Sequence, residues 1–138
     1  MKKLFLDTNI IIDLLSERQP FYSEAARIFS LADKKEIQIS VSALSFATTK
    51  YILLQSKKSD EAKQILRKLK LIVRVLSLDD KIVELALNDS YFKDFEDGLQ
   101  HYTAIENGLD AIITRNLKDF RKAKIPVMTA DQYLQTHK

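Results

Sequence analysis

Leu4-Phe5-Leu6-Asp7-Thr8-Asn9 is the stretch on which the reading of this chain turns. Lys3 to Leu6 is a short apolar run closed by an acid, the pattern of a strand buried on both faces. Asp7 then stands at the strand's carboxyl end, and Asn9 to Leu15 runs on as an apolar helix. Beyond it, Phe21 to Ala32 is predicted to be helical, with Phe21, Ala25, Ile28, Phe29 and Ala32 at helical spacing and Pro20 near the start. Glu36 to Val41 reads as a second, β-branched strand. Ser42 to Leu54 and Ser59 to Leu69 read as an antiparallel helix pair joined by Gln55-Ser56-Lys57-Lys58, and Leu71 to Leu76 as a third strand. Asp79 to Asn88 and Phe95 to Asn107 are predicted helices, the latter stopped by Gly108. Ala111 to Thr114 makes a fourth strand, followed by a helical turn from Asn116 to Lys122, a short strand from Pro126 to Met128 and a closing helix from Ala130 to Gln135. Strands alternating with helices imply an α/β fold: a central parallel sheet of about five strands, covered by helices on both faces.

Composition agrees. The 138 residues suffice for one domain with a real core, and 46% hydrophobic with 30% charged residues argues against disorder. Only two glycines and two prolines occur, which disfavours a turn-rich all-β barrel or sandwich. The absence of cysteine excludes disulfides, thiolate zinc sites and a cysteine nucleophile. With His101 and His137 the only histidines, any metal is expected to be a hard cation on oxygen ligands. A net charge of +3 is compatible with nucleic acid. The first apolar run meets Asp7 too soon for a signal peptide, and no run is long enough to span a membrane, so the cytoplasm is the expected compartment.

In open α/β sheets, ligands gather beyond the carboxyl ends of strands near the topological switch point. The polar residues that directly follow strands are Asp7-Thr8-Asn9, Ser42 and Thr114-Arg115-Asn116. Each acidic group has a local explanation: Asp7 or Thr8 can cap the first helix, Asp94-Phe95-Glu96-Asp97 suits a helix start, and Asn116 with Asp119 suits another. If they converge instead, the carboxylates repel one another and raise their own pKa values until a cation neutralises them, which points to Mg²⁺ or Mn²⁺. Such a site can activate water for attack on a phosphodiester. Lys118, Arg121, Lys122 and Lys124 are well placed for nucleic-acid phosphates, and Arg115 either joins them or pairs with an acid. Lys57, Lys58, Lys63, Arg67, Lys68 and Lys70 read as a solvated helix surface. His101 reads as an exposed helix position and His137 as part of a frayed tail, while Tyr51-Ile52-Leu53-Leu54 is expected to pack the core or a dimer interface.

Four segments carry a family resemblance. Phe5 to Asp13, Ile39 to Ser45, Asp94 to Asp97 followed by Ala104, and Ile112 to Phe120 resemble, in order and over nearly the whole chain, the motifs of PIN domains. The resemblance implies a three-layer α/β/α domain and a Mg²⁺- or Mn²⁺-dependent ribonuclease. It further implies a possible toxin of the VapC type with a small antitoxin partner, and a homodimer. Carried over, Asp7 and Asp97 match acidic ligands, and the fourth acidic position falls on Asn116, with Asp119 near enough to substitute. Asn9 and Thr114 match positions that order the site by hydrogen bonds. The usual glutamate of the second motif is Thr48 here, and Glu96, Asp94 or Asp119 are the candidates to compensate. The expected catalytic set is Asp7, Asp97, Asp119 and Asn116. The expected metal set is Asp7, Asp97, Asn116 and Glu96, with Asn9, Thr114 and Thr48 ordering the site and Arg115, Lys118, Arg121 and Lys122 contacting RNA. The competing reading is a PIN fold with a degraded site that binds RNA or a protein without cutting. A receiver domain would want an acidic pair beside Asp7, and a haloacid-dehalogenase-type phosphatase a second acid where Asn9 stands.

Overall fold

A computed structural model describes residues 1–137. Its elements run β1 (Lys3–Leu6), α1 (Thr8–Leu15), α2 (Tyr22–Asp33), β2 (Gln38–Ser42), α3 (Ala43–Leu53), α4 (Ser59–Lys70) and β3 (Arg74–Leu76). They continue with α5 (Asp80–Asn88), α6 (Phe95–Glu106), β4 (Ala111–Ile113), a single 3-10 turn (Leu117–Phe120), β5 (Val127–Met128) and α7 (Ala130–Thr136). The sheet has the order β3-β2-β1-β4-β5 with every pairing parallel. The chain steps outward from β1 through β2 to β3, then crosses back to place β4 on the other side of β1. The switch point therefore lies between β1 and β4.

The period-two alternation of a strand divides β1 between two cores. Leu4 and Leu6 pack with Ile10, Ile11, Ile28, Ile39, Val41 and Ile113 beneath α1, α2 and α7, while Phe5 packs with Ile112, Ala104, Leu109 and Phe120 beneath α6 and the 3-10 turn. These two apolar faces make the three-layer α/β/α arrangement, with β1 buried at the centre. A further cluster of Ile82, Ala86, Leu99 and Tyr102 joins α5 to α6.

Two expectations need correction. The third strand was expected from Leu71, yet Leu71 closes α4 and is exposed; pairing starts only at Arg74, opposite Ser40. The helix end and the strand both place apolar residues here, Leu69 and Val73 one helical turn apart and then Leu76 on the strand, so the run reads as continuous. Of Tyr51 to Leu54, Leu53 enters the core as one of the two expected fates, because one position per turn of α3 faces inward, while Tyr51 and Leu54 stay exposed on the single chain. His137 is no frayed end: it caps α7, lies 3.4 Å from the Tyr133 hydroxyl and pairs with Glu36 at 3.2 Å. Gly108 ends α6 as expected, at φ +64°, with its N–H on the Ile105 carbonyl and that of Leu109 on the Ala104 carbonyl.

Candidate active site at the sheet's switch point

Asp7 is the last residue before α1, and its extended backbone (φ −66°, ψ 153°) turns the carboxylate back over the helix start. Oδ1 accepts the Thr8 N–H at 2.8 Å, so Asp7 does cap the helix. Oδ2 is held from β4's side: the Thr114 hydroxyl donates to it at 2.7 Å and Asn9 Nδ2 at 3.3 Å. The same Thr114 oxygen accepts from Asn9 Nδ2 at 3.4 Å and from the Asn116 N–H at 3.0 Å, while Asn9 Oδ1 takes the Arg115 N–H at 3.4 Å. Capping and site-building thus use the same residue. Asp7, Thr114 and Asn9 tie the ends of β1 and β4 together at the switch point.

The other acids arrive on the start of α6 and on the 3-10 turn. Asp94 caps α6 by accepting the Glu96 N–H at 2.8 Å. Asp97, half-buried one turn in, has its carboxyl pushed up to about 7, first by burial and then by the charges of Asp7, Asp94, Asp119 and Glu96. Glu96 is raised by burial and by Asp94 and Asp7. Asp7 itself is raised by burial and by Asp119, against the hydrogen bonds from Thr114 and Thr8 and the charge of Arg115. Carboxylates from β1, α6 and the 3-10 turn therefore share one electrostatic field. That is the convergence left open by the local explanations for each acid.

The donor set suits a hard cation. Its atoms are carboxylate oxygens, without histidine or thiolate, and their mutual repulsion is what a bound cation relieves. Among the described residues no three acids or histidines are gathered as a ready-made cage. Mg²⁺ does not require one, since it keeps several waters beside one or two carboxylates.

A cleft opens beside these acids, lined by Ser90, Tyr91, Lys93, Asp94, Asp97, Lys118, Asp119, Arg121 and Lys122. It brings Lys118, Arg121 and Lys122 alongside Asp97 and Asp119. Arg115 does not join them. Its guanidinium pairs through Nε and Nη2 with the buried Asp13 at 2.7 and 3.1 Å and lies 4.1 Å over the Phe21 ring, so it braces α1 against the end of β4. Asn116 is exposed, without a side-chain hydrogen bond to the Asp7 group. Thr48 is half-buried and likewise makes no side-chain hydrogen bond there.

Ser45, three residues before Thr48 in the chain and also on α3, is bonded instead to Thr8. Thr8 Oγ1 and Ser45 Oγ lie 2.8 Å apart, and Gln100 Nε2 donates to each at 3.0 Å, all fully or nearly buried. This network ties α1, α3 and α6 together directly behind Asp7. Ser45, Gln100, Asp13 and Tyr91 were not singled out from the sequence. Asp13, a lone acid in an apolar helix, was the readable signal; Gln100 within a buried stretch of α6 was a fainter one.

His101 corrects another expectation. It is fully buried, with Phe92 tilted against it at 4.8 Å and Tyr102 edge-on at 4.6 Å, and its Nε2 accepts the Lys124 N–H at 3.0 Å. Burial pushes its pKa down to about 4, with nearby Lys124 adding to the effect against Asp89. A neutral imidazole thereby anchors the segment that carries the cleft's cations.

A PIN-domain family model matches residues 3–118. The chain belongs to the PIN-domain family. The chain is 27% identical over 137 residues to Ribonuclease VapC1 of Aquifex aeolicus, covering 97% of this chain and 94% of the relative. Among solved structures, a toxin–antitoxin complex from Klebsiella pneumoniae matches with a TM-score of 0.69 and 27% identity, over 92% of this chain and 97% of that one. VapBC-1 from nontypeable Haemophilus influenzae matches with a TM-score of 0.71 over 94% and 98%, at 19% identity, a likeness of fold. The family model ends at Lys118, so Asp7 just after β1, Asp97 on α6 and Thr114 just after β4 lie inside the match, and Asp119 lies one residue beyond it.

Proposed function

We propose that this PIN domain is a divalent-metal-dependent endoribonuclease, the toxin of a toxin–antitoxin pair. The observation that carries the proposal is the shared field of Asp7 and Asp97 at the switch point, with a cation-lined cleft beside it. The relatives support the reaction class and the partner: one is a ribonuclease, and others are toxin–antitoxin complexes. In this reading Asp7 and Asp97 hold Mg²⁺ or Mn²⁺, with Glu96 and Asp119 adding negative charge. When bound, the metal supplies an activated water and neutralises charge developing on the phosphate. Thr114, Asn9 and the Thr8 N–H fix the orientation of the Asp7 carboxylate. Lys118, Arg121 and Lys122 draw the RNA backbone in, and Asn116, exposed and tied to Thr114 only by its backbone N–H, is given no metal-binding role. Ser45 and Gln100, rather than Thr48, brace the site from behind.

The test is cleavage of structured RNA by purified protein with Mg²⁺ or Mn²⁺, beside Asp7→Asn and Asp97→Asn. Cutting that both variants abolish is expected; cutting that survives Asp7→Asn removes the assignment. Co-expression with a small protein encoded beside the gene tests the antitoxin, and light scattering of the purified chain tests the homodimer. A second reading, an RNA- or protein-binding module without cleavage, is favoured by Thr48 in place of the family's glutamate. It predicts RNA binding with no metal-dependent cutting.

A further inference from the structure

Tyr91 has no part in the chemistry described so far, yet its setting is built with care. The residue is 65% exposed. Its backbone is not free: the Tyr91 N–H donates to Asp89 Oδ1 at 2.6 Å, and the other Asp89 oxygen takes the Tyr102 hydroxyl proton. The next residue, Phe92, is wedged against His101 at 4.8 Å and Phe120 at 5.8 Å. A fixed backbone thus presents an aromatic ring to solvent. Other large apolar side chains are exposed, including Tyr51, Leu71, Leu87 and Phe95, but Tyr91 alone among them lines the cleft that holds Asp97 and Asp119. Lys122 Nζ sits over one face of the ring, 5.8 Å from its centroid, and Lys93 lines the same cleft.

An exposed ring flanked by ammonium groups is the combination that single-stranded nucleic acids use, a base stacking on the ring while the cations follow the phosphates. A duplex keeps its base faces stacked inside and cannot offer one to Tyr91. A basic protein segment would be repelled by Lys93 and Lys122. We propose that Tyr91 is a stacking platform for an unpaired base of single-stranded RNA, placing the neighbouring phosphate between the cleft's cations and Asp97. The proposal rests on the nuclease reading for the role of that phosphate, and the stacking itself can be measured without cleavage.

The experiment uses the Asp7→Asn chain to prevent cutting and a single-stranded RNA of about eight nucleotides carrying one 2-aminopurine. Binding is expected to quench the 2-aminopurine fluorescence. Tyr91→Ala is expected to lose most of that quench and to weaken binding by roughly tenfold. Tyr91→Phe and Tyr91→Trp should keep both, because each retains an aromatic face. The same strand annealed to its complement should show no Tyr91-dependent quench. The proposal is overturned if Tyr91→Ala binds and quenches as its parent does, or if the parent does not bind single-stranded RNA. It is overturned equally if the substitution spares RNA binding and abolishes only antitoxin capture. A chain that stacks RNA on Tyr91 but never cuts it fails the nuclease reading and leaves this proposal standing. Asp7-dependent cutting that Tyr91→Ala leaves untouched does the reverse.

Discussion

Replacing Asp97 with asparagine should make the metal-free protein more stable at alkaline pH while abolishing its proposed activity. Among the described residues Asp97 makes no side-chain hydrogen bond, and its carboxyl is carried from the ordinary 3.8 up to about 7. Burial comes first among the causes, followed by Asp7, Asp94, Asp119 and Glu96. A raised carboxyl means the folded state holds a proton that the unfolded chain has released, so stability falls as pH rises from about 4 to 7 and stays low above it. At full burial the displacement would correspond to about 4 kcal/mol. The side chain is only half-buried, and solvent screening reduces this to roughly 1–2 kcal/mol. Asparagine has the same shape and never acquires the charge. The assay is thermal unfolding in a chelating buffer. At about pH 8, Asp97→Asn should melt roughly 3–8 °C above the parent, and the gap should close by about pH 4. Added Mg²⁺ should stabilise the parent more than the variant, because the cation relieves the same repulsion. A variant no more stable than its parent at alkaline pH would refute the claim that these acids strain one another.

His101 gives an acid-side prediction of the opposite sign. With its pKa lowered to about 4, its contribution is complete above about 6.5 and is lost as pH falls, by about 3 kcal/mol. His101→Gln keeps an acceptor for the Lys124 N–H and removes the titration, so denaturant unfolding at several pH values should show a flatter acid limb; an unchanged limb would contradict it. Arg115→Ala should cost about 3 kcal/mol or more by leaving the buried Asp13 charge uncompensated, whereas the double change Asp13→Leu with Arg115→Met should recover most of it. Equal loss in single and double variants would show that the ion pair is not the source. Lys35 ends α2 at φ +63°, with its N–H on the Ala32 carbonyl and that of Glu36 on the Leu31 carbonyl. Lys35→Gly should therefore stabilise the chain by about 0.5–1 kcal/mol, and a loss of stability would mean that the left-handed geometry is not the dominant cost there.

Hydrophobic periodicity carried the element order, the parallel sheet and the place of Asp7, because burial on two faces leaves an uninterrupted apolar strand that must end where polarity resumes. Gly108 at its helix end and Asp94 at a helix start were legible for the same local reason: caps answer the unpaired backbone groups of the chain segment beside them. What the sequence could not contain was distance. Asp7, Asp97 and Asp119 each had a sufficient local explanation, and only the return of β4 beside β1 puts their charges in one field. Arg115 could have met phosphate or an acid, and the answer depended on where α1 set Asp13. His101 read as exposed because its own helix says nothing of the loop that covers it. Thr48 stood where a family motif placed it, while Ser45 and Gln100, unremarkable as letters, were joined to Thr8 by the packing of three helices. The sequence determines which residues are apolar and how each segment begins and ends. Electrostatic coupling and buried hydrogen bonding depend on spacing in three dimensions, so the tertiary structure alone decided how the acids share a site and what braces it.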